Sequence, residues 1–315
     1  MSDLYVVTGG AGFIGSHVAE ALLARGDRVR IIDNFSTGRR GNLATFRDDV
    51  DLVEGDIRSY ERAHKAVQGA DYVIHLAALP SVPRSVQDPL TTNEVNVTGT
   101  LNILSASRDA GVRRVVFASS SSVYGASPDL PKRESLRPAP ISPYGVSKLA
   151  AEQYCMAFNA VYDLEAVALR YFNVFGPRQD PQSQYSGVVA LFLRLGAEGK
   201  PPTIFGDGNQ TRDFTYVTNV ATATLSAAAS STAVGRVINI ACGQPHSVNE
   251  LLAAVQAVVG KPVTPVYLAP REGDIEHSYA DVSVARELLG YRPLVALDEG
   301  IRRTFDSALD PSRED

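Results

Sequence analysis

A glycine-rich turn, TGGAGFIG at residues 8–15, stands directly between an apolar, β-branched stretch, LYVVT at 4–8, and a segment with helical spacing, HVAEALLARG. Strand, tight glycine turn and helix in that order open a parallel α/β unit. Further strand-like stretches follow: RVRIID at 28–33, DLVEG at 51–55, DYVIHLA at 71–77, RRVVFAS at 113–119 and LEAVALR at 164–170. Helical segments lie between them, among them TGTLNILSASRDAG and SKLAAEQYCMAFNAVY. The alternation predicts a Rossmann-like, doubly wound parallel sheet. Ligands of such a sheet sit beyond the carboxyl ends of its strands.

Domains average roughly 150 residues, so a chain of 315 suggests two. The texture changes after residue 171, where proline and glycine cluster in FGPRQDPQ and GKPPTIFGDGNQ. We expect a cofactor-binding domain over residues 1–170 and a smaller, mixed α/β substrate-binding domain over 171–315. Hydrophobic residues at 44% and charged residues at 21% are ordinary for a globular chain, and no apolar run has the length a bilayer helix needs. The amino terminus lacks the basic and apolar regions of a secretory signal, so the expectation is a cytoplasmic protein with no membrane partner. Two cysteines, Cys155 and Cys242, make no disulfide framework, and five scattered histidines suggest no metal site. A net charge of −5 argues against nucleic acid as a partner.

Gly9, Gly12 and Gly15 supply the backbone freedom and close approach that a pyrophosphate requires at a helix amino terminus. Phe13 and Ile14 belong to the same turn. Asp33 ends the second strand, where a carboxylate accepts hydrogen bonds from an adenosine ribose and repels a 2′-phosphate. The cofactor expected is therefore NAD, although Arg39 and Arg40 offer charge that a 2′-phosphate would use. Asn34, Ser36 and Gly38 follow Asp33 into the same region. Asp56 and Ile57 in GDI, Leu76, Ala77 and Ala78 in HLAA, and Asn96 in NVTGT would border the rest of the cofactor. His75, beside them, reads as a packed strand residue.

SPYGVSK places Tyr144 and Lys148 four apart at a helix start, on one face. A nearby ammonium favours the phenolate of a tyrosine otherwise too weakly acidic to act at neutral pH. ASSSSVYG at 118–125 runs off a strand end and delivers hydroxyls to the same place.

Taken with NVTGT, RYFNVFGPRQ, GDGNQTRDFTYV, REGD and SYADVSVARELLGYRP, these motifs resemble the extended short-chain dehydrogenase/reductase family, in its nucleotide-sugar epimerase and dehydratase branch. Relatives that eliminate water carry an Asp-Glu pair before VYG, and decarboxylases a single glutamate; here Ser121 and Ser122 stand in those places. The resemblance therefore implies a UDP-sugar 4-epimerase working through a 4-keto intermediate. Its catalytic set would be Ser120, Tyr144 and Lys148, with the choice among four consecutive serines one residue wide. For the UDP-sugar it implies Ser81, Ser120, Ser121, Tyr144, Asn173, Val188, Thr203 and Phe205, with Arg212 and Arg271 on the diphosphate. Ser278 stands where glucose-restricted members carry a tyrosine, which implies room for a 2-acetamido group and hence UDP-GlcNAc and UDP-GalNAc as substrates beside UDP-Glc and UDP-Gal; Tyr279 is the side chain that would refill the space. The resemblance further implies that the chain returns to the sheet around 212–241 and near 281–289. It also implies a homodimer built on helices around 94–110 and 144–162.

Three other readings stay open at this level. A UDP-glucuronate 4-epimerase would pair Arg84 or Arg178 with the substrate carboxylate. A nucleotide-sugar dehydratase or lyase is the second, and a non-catalytic dinucleotide-binding regulator is the third.

Overall fold

A computed structural model describes residues 2–180, 187–270 and 275–309. Seven strands, β1 (Leu4–Thr8), β2 (Arg28–Asp33), β3 (Val50–Glu54), β4 (Tyr72–His75), β5 (Arg114–Ser120), β6 (Glu165–Tyr171) and β7 (Arg236–Ile240), form one sheet. Its order is β3, β2, β1, β4, β5, β6, β7, and each neighbouring pair is parallel. The strand order reverses between β1 and β4, so the chain leaves these two strands in opposite directions and opens a crevice at their carboxyl ends.

The sheet is buried on both faces, which is why its strands read as near-continuous apolar runs rather than alternating ones. Period-two alternation still sorts the side chains, because successive residues point to opposite faces. Tyr5 and Val7 enter one core with Val18, Leu22, Val220 and Ala227, from the helices Phe13–Ala24 and Val217–Ala229. Leu4 and Val6 enter the other with Ala63, Ile103, Leu104, Ala151 and Cys155, from Tyr60–Val67, Gly99–Asp109 and Pro143–Val161.

Much of the described chain beyond β6 packs as a cap with its own apolar interior, including Phe192, Leu193, Ile204, Phe214, Leu251, Val255 and Ile301. Helices Val188–Ala197, Val248–Val259 and Leu297–Ala308 supply most of it. Local sequence sets the second of these: Ser247 and Glu250 form a reciprocal capping box at its start, and Gly260 stops it with φ +73°. Among the described residues three small sheets complete the fold, and in one of them Val174–Phe175 pairs with Thr215–Tyr216. Thr203–Phe205 pairs with Val266–Leu268, and Thr211–Arg212 runs between His246–Ser247 and His277–Ser278. Among the described residues no helix is long and apolar enough to cross a membrane, and no His, Cys, Asp or Glu cluster suits a metal ion.

Candidate active site

A cleft of about 800 Å³ opens at the carboxyl ends of the central strands. Its floor is the glycine turn. Gly9 sits at φ +70°, and a Cβ there would lie 2.8 Å from the Ala77 Cα; a Cβ on Gly15 would fall 2.1 Å from the Gly9 carbonyl oxygen. No side chain fits either position, and the bare backbone facing the cleft at a helix amino terminus is of a form that could hold a pyrophosphate.

Asp33 ends β2 with only 7% of its surface exposed. Its Oδ2 accepts from the Ala11 N–H at 2.9 Å and its Oδ1 from Phe35 N–H at 2.8 Å. Burial pushes the carboxyl up, and these backbone donors oppose the shift. The side chain thus ties the strand end to the glycine turn and presents remaining lone pairs to the cleft. Asn34, Ser36, Gly38, Asp56, Ile57, Leu76, Ala77 and Ala78 line the same space, with Gly12, Phe13 and Ile14. Asp56 is held near pKa 2 by the Arg58 guanidinium and accepts 2.9 Å from the Asn34 amide.

Two residues singled out from sequence stand behind the wall. His75 is buried between Thr8 Oγ1, 2.7 Å from Nδ1, and Thr100 Oγ1, 2.9 Å from Nε2. Thr100 already donates to the Asn96 carbonyl at 2.7 Å, so it accepts from His75 Nε2–H. Thr8 then donates to the bare Nδ1 while accepting from the Leu76 and Ala77 N–H groups. The ring is a neutral spacer, its pKa driven down to about 3 by burial and the Lys148 charge. Asn96, expected at the cofactor, faces Leu79 instead. Its Oδ1 accepts from Leu79 N–H at 2.8 Å, while its Nδ2 donates to the Leu79 carbonyl and to Ser147 Oγ. A loop with unmade backbone bonds consumed this amide, and the residue shapes the cleft wall rather than lining it.

Ser120, Tyr144 and Lys148 converge at the far end. Pro143 and the Ser142 cap, which accepts from Gly145 N–H at 3.1 Å, start the helix that carries Tyr144 and Lys148. Ser85 Oγ accepts from the Tyr144 N–H at 3.0 Å, fastening that start to the 81–87 segment. Lys148 is buried and donates from Nζ to the Ala118 carbonyl at 2.9 Å; burial lowers its pKa to about 8. Burial raises the Tyr144 phenol, and the Ser120 hydroxyl is the hydrogen-bond partner that pulls it back.

Beneath this trio lies a feature the motifs did not announce. Glu152, fully buried one turn beyond Lys148, accepts from Ser119 Oγ at 2.7 Å and from Arg170 through Nε at 3.0 Å and Nη2 at 2.7 Å. Arg170 also lies 4.7 Å over the Tyr124 ring. The pair clamps the helix Pro143–Val161 to β5 and β6, fixing the register between Tyr144 and Ser120. Its sequence signal was an acidic residue on the apolar face of the helix.

The residues expected at the sugar nucleotide are split. Ser81, at φ +114°, Ser121 and Asn173, at φ +34°, line the cleft with Ser120 and Tyr144. Val188, Thr203, Phe205, Arg212 and Ser278 lie in the cap, outside the lining of this cleft. Arg212 and Ser278 are side by side in register on adjacent strands, an adjacency no sequence spacing suggests. Arg271 lies outside the described residues. Arg178 lines the cleft but stands 3.0 Å from Glu20, and Arg84 lines it beside Ser81.

Glycine cradle, strand-end carboxylate and Ser-Tyr-Lys set on a doubly wound sheet define a dinucleotide-dependent enzyme of the short-chain dehydrogenase/reductase class. The profile of the NAD dependent epimerase/dehydratase family matches residues 5–241. The UDP-glucose 4-epimerase of Mycolicibacterium smegmatis is 42% identical over 305 residues, covering 96% of this chain and 97% of that one. Among solved structures, the UDP-N-acetylglucosamine 4-epimerase of Methanobrevibacter ruminantium, in complex with UDP-N-acetylmuramic acid, superposes with a TM-score of 0.93 at 40% identity, covering 98% and 99% of the two chains. The Thermus thermophilus UDP-glucose 4-epimerase, in complex with NAD, gives 0.88 at 40% identity, covering 96% and 98%. The chain belongs to the NAD dependent epimerase/dehydratase family, in its UDP-sugar 4-epimerase branch, and its cofactor is NAD.

Proposed function

We propose that this enzyme interconverts UDP-GlcNAc with UDP-GalNAc, and UDP-Glc with UDP-Gal, by inverting C4 through a 4-keto intermediate. One observation carries the choice of reaction. Among the described residues the cleft lining holds three carboxylates, each with its own partner, and Glu152, behind the wall at Ser119, is taken by Arg170. Asp33 holds the glycine turn, Asp56 pairs with Arg58, and Asp180 lies 2.7 Å from Arg39. Eliminating water or carbon dioxide from the sugar needs an acid or base where Ser121 and Ser122 stand. Proton and hydride transfer at one carbon does not.

When bound, NAD supplies a reversible hydride acceptor. Tyr144 takes the O4 proton, Ser120 hydrogen-bonds O4, and Lys148 holds a positive charge beside them. After the sugar turns over, Tyr144 returns its proton to O4 as C4 is reduced on its other face, so no net redox change accumulates. We assign residues 1–170, with the returns near 212–241 and 281–289, to NAD and the remainder of 171–315 to the UDP-sugar, with Arg212 and Arg271 on the diphosphate. Arg212 beside Ser278 supports a path for the substrate from the cap toward Tyr144. The small Ser278 side chain supports acceptance of the N-acetylated pair.

A homodimer fits an exposed apolar stripe, Val146, Tyr154 and Val161 on one helix with Val86 and Leu90 beside its start. Helix Gly99–Asp109, by contrast, buries Ile103 and Leu104 within the protomer. Cytosolic residence fits two cysteines that are both free.

Supplying UDP-Glc, UDP-GlcNAc and UDP-GlcA separately and resolving product isomers tests the reading. Interconversion of the first two without a change of mass is expected, and Tyr144→Phe abolishes it. Substantial turnover by Tyr144→Phe, or a product lighter by water or carbon dioxide, refutes it. Arg84 in the cleft gives UDP-GlcA the second claim, and inversion of that substrate alone would establish it. A protein that binds NAD and converts none of the three is a regulator.

A further inference from the structure

The segment Pro177–Asp180 belongs to the chain beyond β6, yet it is bolted to the dinucleotide side of the cleft. His17 lies on the helix that follows the glycine turn, and its Nε2 donates to the Pro177 carbonyl at 3.0 Å. Arg178, its side chain 8% exposed, reaches Glu20 on the same helix at 3.0 Å and lies 5.8 Å over the Phe46 ring. Asp180 meets Arg39 at 2.7 Å. Arg39 is itself rooted to the glycine turn, since its N–H donates to the Ala11 carbonyl at 3.0 Å and the nearby Asn42 amide donates to the same oxygen at 2.8 Å.

The Arg39–Asp180 pair joins two stretches of the cleft's lining, which includes the glycine turn, Asp33 to Arg39, and Arg178 to Asp180. Arg178 adopts φ +67°, an uncommon conformation for a residue with a side chain, which surrounding contacts must hold. We propose that Pro177–Asp180 is a clasp that closes the dinucleotide trench, with Arg178 as its anchor and the Arg39–Asp180 pair as its catch, so that NAD leaves slowly. Retention serves the redox-neutral cycle proposed for this site, which consumes no cofactor and gains nothing from exchanging it.

The experiment loads wild type, Arg178→Ala, Arg39→Gln and the charge-swapped Arg39→Asp/Asp180→Arg protein with NADH. Release is then followed by the loss of bound-NADH fluorescence after excess NAD is added. Release on the order of tenfold faster is expected for Arg178→Ala, and severalfold faster for Arg39→Gln, because changes to an established contact act mainly on dissociation. The swapped pair returns toward the wild-type rate. Raising salt speeds release from wild type more than from Arg39→Gln, since the catch is a half-exposed ion pair. Should Arg178→Ala fail to fold, Arg39→Gln and the swapped pair decide the matter. Wild-type release rates in folded Arg39→Gln, with no response to the swap or to salt, overturn the clasp. A wild type whose release depends on these residues but which inverts no UDP-sugar keeps the clasp and refutes the epimerase reading.

Discussion

Replacing Lys148 by methionine removes the charge and keeps most of the volume. Burial drives the Lys148 ammonium from its ordinary 10.5 to about 8. One pKa unit corresponds to about 1.4 kcal/mol, so carrying this proton costs the fold about 3 kcal/mol at neutral pH. The sign follows from which state binds the proton more tightly. Below pH 8 the folded and unfolded chains are both protonated and the cost is full. Between 8 and 10.5 the folded chain gives up its proton while the unfolded chain keeps it, so wild type gains stability as pH rises. The methionine variant lacks this gain. Opposing the relief at low pH, the Ala118 carbonyl loses its donor, which costs about 1–3 kcal/mol at every pH. At pH 6.5 the variant is therefore equal to wild type or up to about 2 kcal/mol more stable, although it has lost the ammonium proposed to act in turnover. By pH 10 its relative stability has fallen by about 2.5 kcal/mol. Urea unfolding of both proteins freed of cofactor measures the difference, and ligand linkage then does not enter. A stability difference flat to within about 0.5 kcal/mol across that range would show that Lys148 is not held charged at a cost.

Glu152→Gln leaves Arg170 buried without its carboxylate and is expected to cost about 3–5 kcal/mol; at roughly 0.7 kcal/mol per kelvin for a chain of this size, Tm falls by about 4–7 °C. A calorimetric change below about 1 °C would mean that the pair does not hold the catalytic helix. Gly15→Ala drives a methyl into the Gly9 carbonyl and should abolish NADH binding in a fluorescence titration, while wild-type affinity would contradict the cradle. Ser278→Tyr is expected to depress turnover of UDP-GlcNAc and UDP-GalNAc at least tenfold more than that of the glucose pair, in line with the effect of overfilling a fitted pocket. Equal loss on both pairs would exclude Ser278 as a gate.

Much of the placement of the glycine turn, Asp33, Tyr144 and Lys148 was legible because its information is local. The glycine turn states its own backbone requirement within eight residues, Asp33 is placed by the end of a strand, and helix periodicity puts Tyr144 and Lys148 on one face. The packed reading of His75 also rested on local pattern, an apolar strand with no metal-ligand spacing around it. Asn96 shows the limit. A polar residue near a cofactor motif suggests a ligand, yet Leu79, 17 positions earlier, claims both ends of its amide.

Periodicity, glycine placement and motif order by themselves determined the sheet, the glycine turn and the placing of Tyr144 and Lys148 on one helix face, because these depend on backbone geometry over a few residues. Strand order and loop closure decided the rest. Glu152 meets Arg170 only because the helix Pro143–Val161 packs against β6, Arg212 meets Ser278 only when segments 66 residues apart pair, and Arg178 meets Glu20 only when the chain beyond β6 folds back over the first helix. Pairings of that kind reflect which surfaces bury each other, and no window of sequence contains both partners.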